Sequence, residues 1–188
     1  MKLTDEEVPI IIEKALNRGN DLIQLHGNNL TFNGIKMLTD VLKTDTALQN
    51  VLLSNNPTIG DKGIDYLVDL FRNYNRTLRM LDLDKINLTD CGLVLLSDAI
   101  KANINLRNLH LGENNFTYDG IKILADALET NSTISDLDLS VTSECVRILA
   151  HALEYNTTLK ILNLSRNENI KDDDIVYLAQ VLFNDIRF

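Results

Sequence analysis

The chain has 188 residues, of which 45% are hydrophobic and 24% are charged, a composition typical of a folded globular protein rather than a disordered or fibrous one. Its 27 acidic and 18 basic residues give a formal net charge of −9. Because no cluster of Lys and Arg stands out that could reverse this sign locally, we expect neither a nucleic acid nor a membrane surface as partner.

The first predicted element is a helix over residues 4–18. Thr4 and Glu7 have the spacing of a capping box, and Pro9 lies near the first turn, where its missing N–H is tolerated. One face of the helix is apolar and includes Val8, Ile11, Ile12 and Leu16. We therefore predict that this helix covers one end of the structure that follows.

Six short strands are predicted after residue 20, because six segments fit the pattern L-x-x-L-x-L-x-x-N-x-L. The third apolar position of the pattern recurs at spacings of 28, 30, 28, 28 and 25 residues, at Leu25, Leu53, Leu83, Leu111, Leu139 and Leu164. Alternation within each segment points the leucines into a core and the residues between them outward. Repeat five is short between its strand and its helix, so we expect a tighter connection there.

A helix is predicted after each strand. Thr31, Thr89 and Thr117 are expected to be N-caps, since a hydroxyl at that position accepts an unpaired amide of the first turn. The last helix is predicted from about Asp173 to Phe183. In the tail that follows, Ile186 and Phe188 either fold back as a small cap or leave that end open to a partner or a longer chain.

One repeat of about 28 residues cannot be stable alone, because ordering its backbone costs about 1–2 kcal/mol per residue, more than its few buried aliphatic side chains return. Stacked repeats share those side chains and pair their strands. We therefore predict an α/β solenoid with a parallel inner sheet and outer helices. A single domain fills residues 1–188, with a capping helix at 1–19, repeats at 20–183 and a tail at 184–188.

The repeat resembles the ribonuclease-inhibitor-like subclass of leucine-rich repeat proteins over nearly the whole chain. In that family an asparagine ties adjacent turns together through backbone hydrogen bonds. The resemblance assigns this structural ladder to Asn28, Asn56, Asn114 and Asn167. Ile86 and Thr142 occupy the same position in repeats three and five and interrupt the ladder.

The outward positions of the strands form the concave face of such a solenoid, and its middle is acidic. Charge and apolar contact area together predict a protein-binding surface. Its candidate residues are Leu52, Met80, Asp82, Asp84, Asn108, His110, Glu113, Asp136, Asp138 and Asn163. The alternative is that an acidic protein simply has an acidic exposed face.

His110 lies between Asp82 and Asp138 in the predicted sheet, an arrangement that invites an acid–base or metal site. Adjacent strands are about 4.8 Å apart, however, so the three side chains form an open line rather than a pocket. No nucleophile or phosphate-binding loop accompanies them, and zinc would need further ligands. We expect no catalysis, cofactor or metal, and interpret His110 as a pH-sensitive contact or as a spacer between like charges.

The sequence as a whole predicts a non-enzymatic module or scaffold that binds a protein partner with a basic or mixed surface. The resemblance implies two alternatives, a GTPase-activating regulator and an actin pointed-end-capping protein. A further alternative is a structural subunit of a large cytoskeletal or ciliary assembly. The acidic start "MKLTDEEVPIII" is unlike a signal peptide, and N-x-S/T sequons fall at matching repeat positions. We therefore expect a cytoplasmic protein, with the nucleus as an alternative.

Overall fold

The computed structural model describes residues 2–44, 47–74, 76–102 and 105–184. In these residues a 3-10 helix, Asp5–Glu7, precedes an alternation of α-helices and β-strands. The elements are α1 (Val8–Asn17), β1 (Leu22–Gln24), α2 (Phe32–Leu42), β2 (Asn50–Leu52), α3 (Gly60–Asn73), β3 (Met80–Asp82), α4 (Asp90–Lys101), β4 (Asn108–Leu111), α5 (Tyr118–Thr130), β5 (Asp136–Leu139), α6 (Ser143–Tyr155), β6 (Ile161–Asn163) and α7 (Asp172–Asn184).

The six strands form one parallel sheet in which sequence neighbours are also spatial neighbours. The helices pack against one another in the same order, from α1 to α7. The inner leucines are aligned across the sheet, since Leu81 pairs with Leu109 and Leu109 with Leu137. This architecture confirms the leucine-rich repeat solenoid that the sequence predicts.

The core is a continuous stack of aliphatic side chains between the sheet and the helices. Leu25, Leu53 and Leu83 are completely buried, as are Leu111 and Leu139. The matching leucine of the last repeat is only partly buried, because no further repeat or cap packs against β6 among the described residues. At the other end β1 also has a strand on one side alone, but α1 packs beside it and Leu25 stays completely buried. Burial at one position thus depends on having a repeat or a cap on both sides, as expected for a solenoid.

The first helix covers the end of the stack next to β1. Val8 and Ile12 are completely buried, and the Glu7 carboxylate accepts the backbone N–H of Thr4 at 2.9 Å. The predicted helix begins with the 3-10 turn rather than as a continuous α-helix. In that turn, Asp5 accepts both the N–H and the hydroxyl of Thr31, at 2.8 and 2.6 Å, which fastens the cap to the first repeat.

The threonines at the helix starts differ in what they cap. Thr31 and Thr89 accept the amides of Asn33 and Cys91, at 3.1 and 3.3 Å, as predicted. Thr117 is also the N-cap residue of its helix, but its hydroxyl accepts no amide of the first turn and only donates to Asp90, at 2.5 Å.

Each of these threonines also bonds an aspartate of its own, which lies in the preceding repeat or, for Thr31, in the cap. Asp61 and Asp90 accept the N–H and the hydroxyl of Thr89 and Thr117, just as Asp5 does for Thr31. A Cβ at Gly120 would collide with the Asp90 carboxylate, so the glycine makes room for this bond. These bonds between aspartate and threonine form a second ladder between repeats. It was not predicted, although Thr-x-x-Gly recurs in the helix starts.

The connection in repeat five and the tail after α7 were the two remaining structural predictions. In repeat five only residues 140–142 separate β5 from α6, whereas residues 112–117 separate β4 from α5, so the tighter connection is confirmed. The alternatives for Ile186 and Phe188 lie outside the described residues. Within the described part of the chain, no helix has both the length and the apolar character needed to cross a bilayer.

Candidate functional site

Two rows of side chains cover the face of the sheet that lies opposite the buried leucines. The register is the one that the repeat alignment predicts. We call these twelve side chains the concave face. One row is Leu22, Asn50, Met80, Asn108, Asp136 and Ile161, and the other is Gln24, Leu52, Asp82, His110, Asp138 and Asn163.

The middle of the concave face is acidic, but its carboxylates differ in exposure. Asp82 and Asp136 are half-buried, whereas Asp138 is only 5% exposed and accepts a 2.7 Å hydrogen bond from Asn163. Asp138 thus belongs to the predicted acidic row, but Asn163 and Arg166 contact its carboxylate and cover it. The negative charge available to a partner on this face lies on Asp82 and Asp136.

His110 pairs in register with Asp82 on one side and Asp138 on the other. Along the described residues, no three His, Cys, Asp or Glu side chains are grouped so that they could hold a metal ion. The strands are about 4.8 Å apart, so the three groups lie in a line across an open sheet. Such a line can exchange hydrogen bonds with a flat protein surface.

Five charged side chains form a network where the strands end, which we call the carboxyl rim: Asp84, Lys85, Glu113, Asp138 and Arg166. Arg166 Nη1 donates to Glu113 at 2.8 Å, and its Nη2 lies 3.5 Å from both Asp84 and Asp138. Lys85 Nζ lies 2.8 Å from the other oxygen of Glu113. Three carboxylates thus share two cations, which leaves the carboxyl rim with a small net negative charge.

The environment of the carboxyl rim shifts its carboxyl groups in opposite directions. Burial raises the pKa of Asp84, and the nearby Asp82 raises it further. Burial also raises the pKa of Asp138, although the charge of Arg166 opposes this shift. The hydrogen bond from Lys85 lowers the pKa of the exposed Glu113. Burial thus disfavours the charged form of the two inner carboxyl groups, whereas the cations beside Glu113 favour its charged form.

Lys85 and Arg166 were not among the predicted site residues, although a signal for them was present. Lys85, Glu113 and Arg166 all follow the last leucine of their strand by two residues, and all three have positive φ. In repeat five the same position is Val141, which is buried. With no polar side chain at that point, Arg166 reaches across repeat five to Glu113.

The four ladder asparagines hold the turns behind the carboxyl rim. In Asn56, Asn114 and Asn167, Nδ2 donates to the carbonyls of the last strand leucine in their own and the preceding repeat, at 2.7 to 3.1 Å. Asn114 Oδ1 also accepts the amides of Ile86 and Leu88, at 3.2 and 3.0 Å. Asn28 Oδ1 accepts the Leu3 amide of the cap at 2.9 Å.

A basic cluster lies at the opposite edge of the sheet, where the strands begin. The residues that directly precede β3, β4, β5 and β6 are Arg79, Arg107, Ser135 and Lys160. We call these four residues the amino rim. They line a cavity of about 210 Å³ together with Asn105, Ser132, Thr133 and Thr158.

The expectation that the chain has no basic cluster is therefore wrong. Arg79 and Arg107 are 28 positions apart, and Lys160 follows 53 positions later. No local scan of the sequence groups residues at such distances. Stacking of the repeats brings them to one edge, because each occupies the same position of its repeat.

Comparisons with known sequences identify the repeat. A family model described as "Leucine Rich repeat" matches residues 102–125 and 155–179, which include β4, β6 and the helix starts that follow them. No curated protein matches the sequence.

Comparisons with solved structures find the same fold. The tropomodulin C-terminal domain of Caenorhabditis elegans is 17% identical with a TM-score of 0.65, over 79% of this chain and 91% of that one. The actin-binding site 2 of leiomodin-1 is 17% identical with a TM-score of 0.54, over 95% and 85%. A chain of the yeast Rad7 and Elc1 complex is 19% identical with a TM-score of 0.61, over 94% and 42%. These likenesses show the fold, and function has to be argued from the surface.

Proposed function

We propose that this chain, a leucine-rich repeat protein of the ribonuclease-inhibitor-like subclass, is a non-enzymatic interaction module that binds a protein partner on its concave face. One observation carries the proposal. Asp82 and Asp136 lie on an open sheet beside the partly exposed Leu52 and Met80. Acidic groups around apolar side chains are what a basic or mixed partner surface requires.

The rigidity of the concave face supports this function. Buried leucines fix every strand from behind, and the asparagine ladder fixes the turns where the strands end. Side chains on such a sheet lose little conformational freedom on binding, which lowers the entropic cost of association. The charges of Asp82 and Asp136 speed the encounter with a cationic partner.

Catalysis is the weaker interpretation of the same face. A catalytic histidine needs a base or nucleophile within hydrogen-bond reach and a site that excludes water. His110 instead lies half-buried on an open sheet. We propose a protein partner in the cytoplasm or nucleus and no cofactor.

Capture of a partner from an extract of the source cells tests the proposal. The immobilised chain is compared with Asp82→Asn/Asp136→Asn, and captured proteins are identified by mass spectrometry. Asparagine keeps the size and the acceptor oxygen but removes the charge, so capture should fall about tenfold or more while thermal stability is kept.

The matched control is Asp98→Asn/Asp126→Asn, which removes two exposed carboxylates from α4 and α5 on the outer side. It changes the net charge by the same amount and should leave capture intact. Equal capture by all three proteins would rule out the concave face as the binding surface. Equal loss in both double variants would show a dependence on net charge alone.

Actin is a second candidate partner, favoured by the likeness to the tropomodulin domain and to the actin-binding site of leiomodin-1. Co-sedimentation with filamentous actin tests binding, and elongation from filaments blocked at the barbed end tests pointed-end capping. If actin is the partner, the chain should sediment with filaments and slow elongation, and Asp82→Asn/Asp136→Asn should do neither. A chain that remains in the supernatant at saturating actin excludes this candidate.

A further inference from the structure

We propose that the amino rim binds the phosphate group of a phosphorylated protein segment. This site goes beyond the concave-face function, since it lies at the edge where the strands begin and has the opposite charge. Three cationic side chains and several hydroxyl groups line its cavity of about 210 Å³, and none of the described residues lining it is acidic.

No carboxylate in the described part of the chain forms an ion pair with a cation of the amino rim. Among the described residues, Arg107 and Lys160 are exposed and take part in none of the ion pairs, and Arg79 makes none either. Lys85 and Arg166 of the carboxyl rim, in contrast, are both paired with carboxylates. The positive charge of the amino rim is therefore available to an external anion.

Arg79 is positioned in advance for such a ligand. It is half-buried, and its Nη1 donates to the backbone oxygen of Asn105 at 3.2 Å. A guanidinium has five N–H donors, so this bond orients the group and leaves other donors to bind two phosphate oxygens at once. Thr133 adds a hydroxyl whose only described bond as donor is long, 3.4 Å to Asn131 Oδ1, so its proton can turn toward a ligand.

The spacing of the cations suits a short segment rather than one small ion. Arg79 and Arg107 precede adjacent strands and are separated by about 4.8 Å along the sheet, close enough to share one phosphate. Lys160 lies two strands beyond Arg107, a separation of about 10 Å. An extended peptide that places its phosphate between the arginines can place a second acidic group, three residues away, near Lys160.

The surrounding charge favours a protein segment over a nucleic acid. Asp136 directly follows Ser135 of the amino rim, and the concave face continues with Asp82. A chain of regularly spaced phosphates would extend over these carboxylates and be repelled. A peptide can carry its phosphate and one further acidic group among neutral residues, and so avoids this cost.

A titration followed by backbone amide NMR in phosphate-free buffer tests the proposal. The probes are a heptapeptide with a central phosphoserine and a glutamate three residues away, the same peptide with serine in place of phosphoserine, and a short oligothymidylate. Only the phosphopeptide should produce saturable shifts, centred on Arg79, Arg107, Ser135 and Lys160. Arg107→Gln should weaken its affinity about tenfold, the value of one charge-assisted hydrogen-bonded contact.

Lys122→Gln is the control, because it removes one exposed positive charge from α5 on the outer side. It should leave the affinity unchanged, and a weakening equal to that of Arg107→Gln would overturn the site. Absence of saturation with the phosphopeptide, or equal shifts with the serine peptide, would also overturn it. Tighter binding of the oligothymidylate to the same residues would replace the protein segment by a nucleic acid.

Discussion

The two edges of the sheet carry opposite charge, and they differ in whether that charge is paired with other side chains of the described residues. At the carboxyl rim, Arg166 and Lys85 are paired with carboxylates from neighbouring repeats. At the amino rim, Arg107 and Lys160 stand without such partners among the described residues. Charges that the chain satisfies internally stabilise the stack, whereas charges that it leaves unpaired remain available to a ligand.

The difference follows from what lies behind each edge. The turns at the carboxyl rim are tied down by the asparagine ladder, and their positive-φ residues project side chains of alternating sign toward one another. Buried carboxylates such as Asp138 require these cations. At the amino rim no comparable buried carboxylate is found among the described residues, so its arginines and lysine are left without such a partner there.

The largest expected effect comes from removing the ladder behind the carboxyl rim. Asn114→Ala leaves the carbonyls of Leu83 and Leu111 and the amides of Ile86 and Leu88 without this partner. Unsatisfied groups of this kind should lower the free energy of unfolding by about 3 kcal/mol. Denaturation in urea measures the loss.

The neighbouring Asn115 provides the control, because it is exposed and bonds another side chain, Asn87, at 2.7 Å. Asn115→Ala should cost less than about 1 kcal/mol. Similar losses in the two variants would contradict a structural role that is specific to the ladder.

A smaller effect is expected from Arg166→Gln, and it should depend on pH. The pKa values of Asp84 and Asp138 are already raised above the ordinary 3.8, and losing the cation raises them further. A carboxyl with a raised pKa contributes stability below its unfolded pKa that is lost as the pH rises through its folded pKa. The variant should therefore lose about 1 kcal/mol near pH 7 and almost nothing near pH 3.

The contribution of Glu113 also makes the variant lose more stability at neutral pH than in acid. The hydrogen bond from Lys85 and, further, that from Arg166 lower the pKa of Glu113 from the ordinary 4.5. Its stabilisation is therefore present above that pH and disappears in acid. Urea denaturation of the wild type and Arg166→Gln from about pH 3 to pH 7 measures the difference. A loss that is the same at every pH would show that Arg166 acts by packing rather than by charge.

The smallest effect on stability is expected at the amino rim. Arg107→Gln/Lys160→Gln removes two exposed cations that take part in no ion pair among the described residues, so the free energy of unfolding should change by less than about 0.5 kcal/mol at any pH. Thermal and urea denaturation check this value. A large loss would mean that the amino rim is as structural as the carboxyl rim and would remove the contrast between the two edges.

Periodicity alone was enough to predict most of the fold. The spacing of Leu25, Leu53 and Leu83 gave the strands and their register, because only stacking can bury leucines that recur at this interval. The short connection of repeat five was also readable from its spacing. The missing cap bond of Thr117 was not, since Thr31 and Thr89 make that bond while their hydroxyls donate to an aspartate just as that of Thr117 does.

The composition of the concave face was likewise readable, but its electrostatics were not. Sequence alternation places Asp82, His110 and Asp138 in one row, because strand side chains alternate between two faces. It does not show that Asn163 and Arg166 contact Asp138. That outcome depends on long side chains reaching across one or two repeats.

The sequence by itself determined the repeat, the order of elements and which leucines form the core, since these follow from local period and burial. Tertiary structure alone decided where charge is paired and where it is free. Arg79, Arg107 and Lys160 become one cluster, and Arg166 joins Glu113, only after stacking brings equivalent repeat positions together. Electrostatic interaction depends on distance in space, and in a solenoid residues that lie close together are one or more whole repeats apart along the chain.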